Sequence, residues 1–336
     1  MPVAGASATP PQYRLQLLDT LNGRLMCSEL DTASAPPLAG LQVPVILGPT
    51  GIGKSRVAFE LALALGGEIV VCDSRQVYAE LDIATNKPLP AALAEVHHHL
   101  VGIANPRTVF NAHDFVVAAG RALVEIAGRG RRPIIEGGSV LWTDALCDGL
   151  SLAGVPPQPD RRAALELLST EDLGLLVEEL DPDAQLDRRN RVRLIRAIEV
   201  LEAAGPPLTR FQSRTAPAWE PIRIGIRASM EVIERRLADR SQEQVDRGLV
   251  EETRRALESG IKATDPVLTG IGYREAVARL ANELSEAELP RAMLRSNRRY
   301  ARYQLKWLAR DPRIRWFEAE PDPVPAILKY LKETLN

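Results

Sequence analysis

Residues 45–55 read Val-Ile-Leu-Gly-Pro-Thr-Gly-Ile-Gly-Lys-Ser. An apolar strand end runs straight into Gly48-x4-Gly53-Lys54-Ser55, the pattern of a phosphate-binding loop. Its glycines let successive backbone N–H groups point into one concavity, which holds an anionic oligophosphate. Lys54 adds a point charge, the Ser55 hydroxyl suits Mg2+, and the following helix directs its positive end at the anion. Val57, Ala58, Leu61, Ala62 and Leu65 recur at helical spacing, and Gly66-Gly67 stops that helix. Strand, loop and helix in this order predict phosphate binding by Gly48, Pro49, Thr50, Gly51, Ile52, Gly53, Lys54 and Ser55. The motif does not say what is done to the phosphate.

Further strand signals lie at Glu68–Cys72, Pro133–Glu136 and Ile222–Ile226, beside the first at Val43–Leu47. Helical patterns separate them, notably Phe115–Ala127. Such alternation predicts an α/β fold, a mainly parallel sheet flanked by helices in the manner of P-loop NTPases. Ligands of these sheets sit at the carboxyl ends of strands. Three segments follow strand ends, Gly48–Ser55, Asp73–Tyr78 and Gly137–Ser139, and are expected to converge on one cleft.

Between 151 and 219 the pattern changes. Pro156, Pro157 and Pro159 open a stretch without strand signals. Helical periodicity follows in Arg161–Leu168, Glu171–Leu180 and Arg188–Ala203, and Gly205-Pro206-Pro207 ends it. The expected organisation is a catalytic core over 41–150 and 220–330 with a small helical insertion at 151–219. A last strand is expected at Ile314–Phe317, then a helix. Residues 1–40, rich in Ala, Pro, Ser and Thr, read as a mobile extension with one short helix near Tyr13–Leu21. They carry Glu29 and Asp31 and no apolar run, so a secretory signal is not expected, and a transit peptide is the weaker alternative to a plain extension.

Bulk properties narrow the class. The 336 residues can bury one large core and a smaller appendage. The net charge of -2 means that any nucleic-acid contact must come from local basic patches. Three cysteines (Cys27, Cys72, Cys147) lie far apart, which argues for a reducing compartment, without a disulfide frame or zinc motif. No stretch is apolar and long enough to span a bilayer. A cytoplasmic location is expected, with a monomer as the default, since the sequence is silent on oligomeric state.

Asp73 follows Val70-Val71-Cys72 and therefore stands at a strand end facing the phosphate loop. A carboxylate there serves as general base or Mg2+ ligand, or merely caps an Asp-Ser turn. Asp82, Thr85, Asn86 and Lys87 form a polar run before Pro88 that by itself looks like loop. His97-His98-His99 invites a metal reading. Adjacent histidines cannot all face one ion in a regular element, and no Cys or carboxylate set accompanies them, so a structural role is expected. Glu136, in Ile135-Glu136-Gly137-Gly138-Ser139, stands where many P-loop enzymes carry a Walker B carboxylate. The paired glycines suggest close backbone approach to a ligand, with Ser139 able to hydrogen-bond at a reacting centre.

Arg188, Arg189, Arg191, Arg193 and Arg196 place five guanidiniums within nine residues. Between Arg291 and Arg315 nine basic residues face one acid, Asp311. Spacings of three and four put several on one helical face. Such patches beside a phosphate cleft point to nucleic-acid backbone contact, against the plainer reading of a solvated face.

The ordered motif set resembles the tRNA dimethylallyltransferases, also called tRNA isopentenyltransferases; the adenylate isopentenyltransferases of cytokinin synthesis share much of it. The matching segments are Gly48–Ser55, Asp73-Ser-Arg-Gln-Val-Tyr78, Asp82–Pro88, His98-His-Leu100, Phe110 with Asp114-Phe115, Gly137–Ser139, Asp181-Pro-Asp-Ala184, Arg193–Val200, Gly248–Glu252, Ile271–Glu275, and Tyr300–Gln304 before Trp307. The resemblance implies transfer of the dimethylallyl group from its diphosphate to N6 of adenine 37 in tRNAs that read codons beginning with U. It implies that Gly48–Ser55 bind the diphosphate, with Ser55 on Mg2+, and that Asp73 takes the N6 proton. It implies that Arg240 and Lys54 hold the diphosphate and that Ser139 lies near the transfer site. Asp73, Ser74, Arg75, Gln76 and Ser139, with Arg161 and the run Val192, Arg193, Leu194, Ile195 and Arg196, match tRNA-contacting positions for the anticodon stem-loop.

Some positions depart from the family pattern. Ser139 replaces Thr, Trp142 replaces Tyr, Gln244 stands where Met is common, and Tyr303 interrupts a Lys-Arg-Gln run. Thr85-Asn86-Lys87 reads partly like the adenylate enzymes, whereas the helical insertion favours the tRNA type. The alternatives are prenyl transfer to AMP, ADP or ATP, a small-molecule kinase, and a non-catalytic RNA-binding relic. No adenine-base pocket or lid arginine set for a kinase is identifiable, and intact Lys54, Ser55 and Asp73 argue against a relic.

Overall fold

The computed structural model describes residues 38–156, 158–211 and 213–335. The expected extension up to residue 37, with its helix near Tyr13–Leu21, lies outside the described residues. Six strands form one sheet: β1 (Gln42–Leu47), β2 (Gly67–Cys72), β3 (His98–His99), β4 (Arg132–Gly137), β5 (Glu220–Arg227) and β6 (Arg315–Glu318). Their order is β3-β2-β4-β1-β5-β6, and every neighbouring pair is parallel. Four strands fall where the apolar runs predict them, and β6 begins one residue later than expected. The two-residue edge strand β3, inside the histidine run, carries no strand signal in the sequence.

Twelve α-helices accompany the sheet among the described residues: α1 (Lys54–Leu65), α2 (Pro90–Glu95), α3 (Ala112–Gly128), α4 (Val140–Cys147), α5 (Pro159–Glu166), α6 (Thr170–Leu180), α7 (Arg191–Ala204), α8 (Met230–Asp246), α9 (Leu249–Glu258), α10 (Tyr273–Leu280), α11 (Leu289–Leu308) and α12 (Val324–Thr334). Both faces of the sheet are covered, which is why its strands are near-continuous apolar runs. Val43, Val45 and Leu47 of β1 join a cluster with Phe115, Leu123 and Trp142. Ile46, pointing the other way, joins Leu61, Ile233 and Ile327. β1 lies between β4 and β5, and the chain leaves it to one side for β2 and to the other for β5. That reversal opens a crevice at the carboxyl ends of β1, β2 and β4.

A third apolar cluster is assembled from α5, α6 and α7 with Leu208. Within it Glu199 is fully buried. It is held by Arg162 at 2.6 Å, Arg196 at 3.4 Å and the backbone N–H of Gln158 at 3.2 Å. Asp181, also buried, accepts from the Leu208 N–H at 2.7 Å. The segments leading into and out of these helices pair with each other: Ser151 N–H donates to Ser213 O at 2.8 Å and Thr215 N–H to Gly149 O at 3.0 Å. Among the described residues no helix is long and apolar enough to cross a membrane.

Gly137 closes β4 directly opposite Cys72 of β2. A Cβ there would run into the Cys72 carbonyl, so only glycine lets the two strand ends meet. Gly137→Ala should therefore lower stability by about 1–3 kcal/mol through backbone overpacking. Thermal unfolding checks this; an unchanged melting temperature would mean that the strands are not so closely apposed.

Candidate active site

The crevice is a cleft of about 620 Å³ that receives all three segments expected to converge there, Gly48–Ser55, Asp73–Tyr78 and Gly137–Ser139. Six cationic side chains line it (Lys54, Arg56, Arg75, Arg236, Arg240, Arg274) against two carboxylates, Asp73 and Glu136. The first turn of α1 contains no acid of its own, and the carboxylate that reaches it is Glu136, which accepts from Ser55 Oγ at 3.0 Å. Gly53 caps that helix at φ 100°, and Gly51 sits at φ 81°. Both values lie in the left-handed region open to glycine, which lets the loop bend into a nest.

Lys54 donates to Pro49 O at 3.1 Å, so its ammonium is folded back over the loop. Desolvation holds it below its ordinary range, against the opposing charges of Glu136 and Asp73. Arg240 reaches in from α8. It donates to Thr50 Oγ1 at 2.9 Å and to Asn297 Oδ1 at 3.3 Å. Its Nε is buried without any hydrogen-bond partner. Burial lowers this guanidinium to about 10, with the Asp73 charge working the other way. An orphaned, desolvated guanidinium N–H in a cationic cleft is costly unless an anion arrives to accept from it.

Asp73 uses one oxygen locally. Its Oδ1 accepts the N–H groups of Arg75 at 2.8 Å and Gln76 at 3.3 Å, which is the turn-capping role open from the sequence. Oδ2 has no hydrogen-bond partner among the described residues, and Asp73 lines the cleft, so the base or ligand role remains available too. Ser139 is buried, and its hydroxyl accepts from Ser74 N–H at 2.9 Å, leaving its own proton to give. Gln76 is buried. Arg75 donates to Pro266 O and to Thr269 Oγ1 at 3.5 Å, so it straps the 266–270 segment against the cleft.

Several contributors carry no assigned role in the sequence reading. Gln304 takes the Thr50 N–H on Oε1 at 2.7 Å and donates Nε2 to Gly138 O at 2.8 Å, bridging the phosphate loop and the Gly-Gly-Ser turn. Tyr300 O–H donates to the same carbonyl at 3.2 Å. Asn297, Tyr300 and Gln304 recur at i, i+3 and i+7, one face of α11. That spacing is the signal which could have found them. The polar run at 82–87 forms a wall of the cleft through Ala84, Thr85 and Asn86. Buried Glu252 holds it by accepting from Asp82 N–H at 3.0 Å and from Tyr273 O–H at 2.5 Å. Gln244, an unusual residue for its place, donates to Ile83 O at 3.0 Å.

The residues of the helical insertion stand apart, and none lines the cleft. Arg161 is paired with Glu202 at 2.5 Å. Leu194 and Ile195 are buried in the α5–α7 core, and Arg196 donates to Val155 O at 2.6 Å. Val192 is 77% exposed. Arg193 is exposed as well, and its guanidinium has no partner among the described residues. The histidines do have a carboxylate neighbour: the fold brings Glu68 beside His97 and His99, with ligand-type atoms within 4.8 Å of one another. Glu68 is already bound by Arg129 at 2.7 Å and His99 at 2.7 Å. That pairing accounts for the cluster as a tie between β2, β3 and the end of α3.

Comparison with known proteins places this geometry in context. The IPP transferase family model matches residues 76–311. The match starts beyond residues 48–55, so the phosphate loop is an independent line of evidence. A tRNA dimethylallyltransferase of Thermomicrobium roseum is 39% identical over 282 residues, 82% of this chain and 86% of that protein. One from Geobacter metallireducens is 40% identical over 282 residues, 82% of this chain and 91% of its own. The crystal structure of a tRNA isopentenylpyrophosphate transferase from Bacillus halodurans superposes with a TM-score of 0.65 at 28% identity, covering 87% of this chain and 96% of that one. A eukaryotic dimethylallyltransferase acting on tRNA shares the fold, with a TM-score of 0.75 at 22% identity over 88% of this chain and 79% of that one.

The orphaned Arg240 predicts a charge-linked affinity for inorganic diphosphate. Arg240→Ala should weaken binding by roughly 10-fold or more in calorimetry. Arg240→Lys, which keeps the charge but not the fork of donors, should recover part of the loss. An affinity that Arg240→Ala leaves intact would remove Arg240 from the anion site.

Proposed function

Because this chain belongs to the IPP transferase family, the family of the tRNA dimethylallyltransferases, we propose that it transfers the dimethylallyl group of dimethylallyl diphosphate to N6 of adenine 37 in tRNA. The carrying observation is one cleft with two charge poles. Lys54 and the orphaned N–H of Arg240 stand at one pole, and the uncommitted oxygen of Asp73 lines the same space. In the reaction the N6 lone pair forms the new bond to C1 of the allyl group. The C1–O bond breaks, and its electrons leave with the diphosphate. Loop amides, Lys54 and Arg240 take up the growing negative charge. Asp73 accepts the N6 proton, held in place by the Arg75 and Gln76 amides on its other oxygen. Ser139 fixes the Asp73–Gln76 turn through Ser74 and keeps a proton to donate near the transfer site.

The site also suits Mg2+. Ser55 opens the first turn of α1 and is open to the cleft, and the Glu136 carboxylate lies 3.0 Å behind its hydroxyl. Oxygen donors and an anionic neighbour are what this ion requires. Bound at Ser55, it would neutralise the leaving diphosphate.

The adenine must leave its stack to reach the cleft, so the rest of the tRNA has to be held elsewhere. Exposed Val192 and Arg193 on α7, with Arg291, Arg295, Arg299 and Lys306 of α11, which are exposed and form no ion pair among the described residues, offer that surface. A free adenine nucleotide would need none of it, which supports tRNA as acceptor. Leu194, Ile195 and Arg196 contribute by shaping the helix rather than by touching RNA.

Two variants separate chemistry from binding. Asp73→Asn retains an oxygen for the two turn amides but not the base. It should cut turnover about 10²–10⁴-fold with tRNA affinity nearly unchanged. Arg193→Ala should weaken tRNA binding and lower its salt slope by about one while leaving turnover at saturation intact. Equal losses of turnover and affinity in Asp73→Asn would make that residue structural.

A further inference from the structure

We propose that the exposed ring of Tyr303 is a stacking platform for an unpaired base of the acceptor RNA, one that neighbours the adenine entering the cleft. The proposal rests on the tRNA reading above and assigns a residue that reading does not use.

Tyr303 is a position at which this chain departs from the family pattern. It stands on α11 and is 52% exposed. A single exposed aromatic is ordinary on a protein surface. Position and neighbours set this one apart.

Tyr300, one turn earlier, lines the cleft and gives its O–H to Gly138 O at 3.2 Å. The next residue, Ser139, accepts from Ser74 N–H, so Tyr300 stands on the side of the cleft that carries Asp73. Burial holds the Tyr300 phenol above its ordinary range, and the charge of Asp73 adds to the shift. The rings of Tyr300 and Tyr303 are near parallel, with centroids 6.4 Å apart and 18° between their planes. Such an offset stack braces the outer ring against an inner one that is itself anchored. Aromatic surface therefore runs from the Asp73 side of the cleft out to solvent.

The surrounding charge names the partner. Arg295, Arg299, Tyr303 and Lys306 follow at intervals of four, four and three, which places them along one face of α11. The three basic residues are exposed and form no ion pair among the described residues. By contrast Arg298 and Arg302 share Glu234, at 2.6 and 3.6 Å. A polyanion without bases would engage the cations and leave the ring idle. Single-stranded RNA uses both, its phosphates on the cations and a base on the aromatic face. Extruding an adenine also strips its loop neighbours of a stacking partner. A braced ring at the mouth of the cleft replaces that partner. Packing alone does not account for Tyr303, since so much of it is uncovered.

The test measures binding of an unmodified anticodon stem-loop RNA by fluorescence anisotropy over a salt series. Tyr303→Ala should weaken binding by about 5- to 100-fold. The salt slope should stay as in wild type, because no phosphate contact is lost. Tyr303→Phe keeps the ring and should bind as wild type does. Tyr303→Leu keeps apolar bulk without a π face and should behave like the Ala variant. Stem-loops with one abasic site at successive loop positions locate the base. At a position beside the target adenine, the abasic site should cost affinity in wild type and nothing further in Tyr303→Ala. Affinity for inorganic diphosphate should be unchanged in every variant; a loss there equal to the loss for RNA would make Tyr303 structural. Wild-type RNA affinity in Tyr303→Ala, a full loss in Tyr303→Phe, or abasic costs identical in wild type and Tyr303→Ala would overturn the proposal and leave the tRNA reading standing. A wild-type protein that binds no stem-loop would bring both down.

Discussion

The site depends on two cations, Lys54 and Arg240, drawn out of water with no ion-pair partner among the described residues. Of the other cations that line the cleft, Arg56, Arg236 and Arg274 are paired with Glu60 and Asp322, Glu320 and Glu275, whereas Arg240 keeps a buried N–H with no acceptor among the described residues. A protein does not stabilise itself by such an arrangement. It is tolerable because the surrounding fold is large, and it becomes favourable when a compact polyanion fills the gap. Under the proposed function the phosphate loop, the positive end of α1 and the two basic side chains would all act on that one ligand.

Holding these groups together requires the chain to return to its starting point. Thr50 and Gln304 are 254 residues apart and meet at 2.7 Å, and Arg240 reaches Thr50 across 190. The late helices α8 and α11 therefore complete a site that β1 begins. The wall that carries Asp73 is built at the ends of β2 and β4, where Ser74 N–H donates to Ser139 Oγ and Arg75 N–H to Asp73 Oδ1. One half of the cleft is rigid through strand pairing and the other through helix docking. Gln304 couples the two halves, because it holds Thr50 N–H and Gly138 O at once.

How much of this was legible follows from what each signal measures. Apolar runs of strand length reveal β1, β2, β4 and β5, because both faces of the sheet are buried. The two-residue β3 has no such run and was invisible. Lys54, Ser55, Asp73 and Ser139 were legible because they lie within a few residues of strand ends. Gln304 and Glu252 were not, since their roles depend on which helix face docks where. The insertion shows the same limit: five closely spaced arginines look alike in sequence, yet Arg196 is tied to Val155 O and Arg193 is exposed. Glu68 pairs with His99 across 31 residues, so the carboxylate beside the histidines could not be seen from their spacing.

The most direct test of the central claim, that a diphosphate-bound allyl donor meets a tRNA adenine in this cleft, is a competition. The protein is incubated with dimethylallyl diphosphate labelled in the allyl group, with unmodified tRNA and AMP offered at equal concentration. The account predicts label on an adenine of the tRNA anticodon loop, none on AMP, and release of one diphosphate per group transferred. Label on AMP with tRNA left untouched would contradict it.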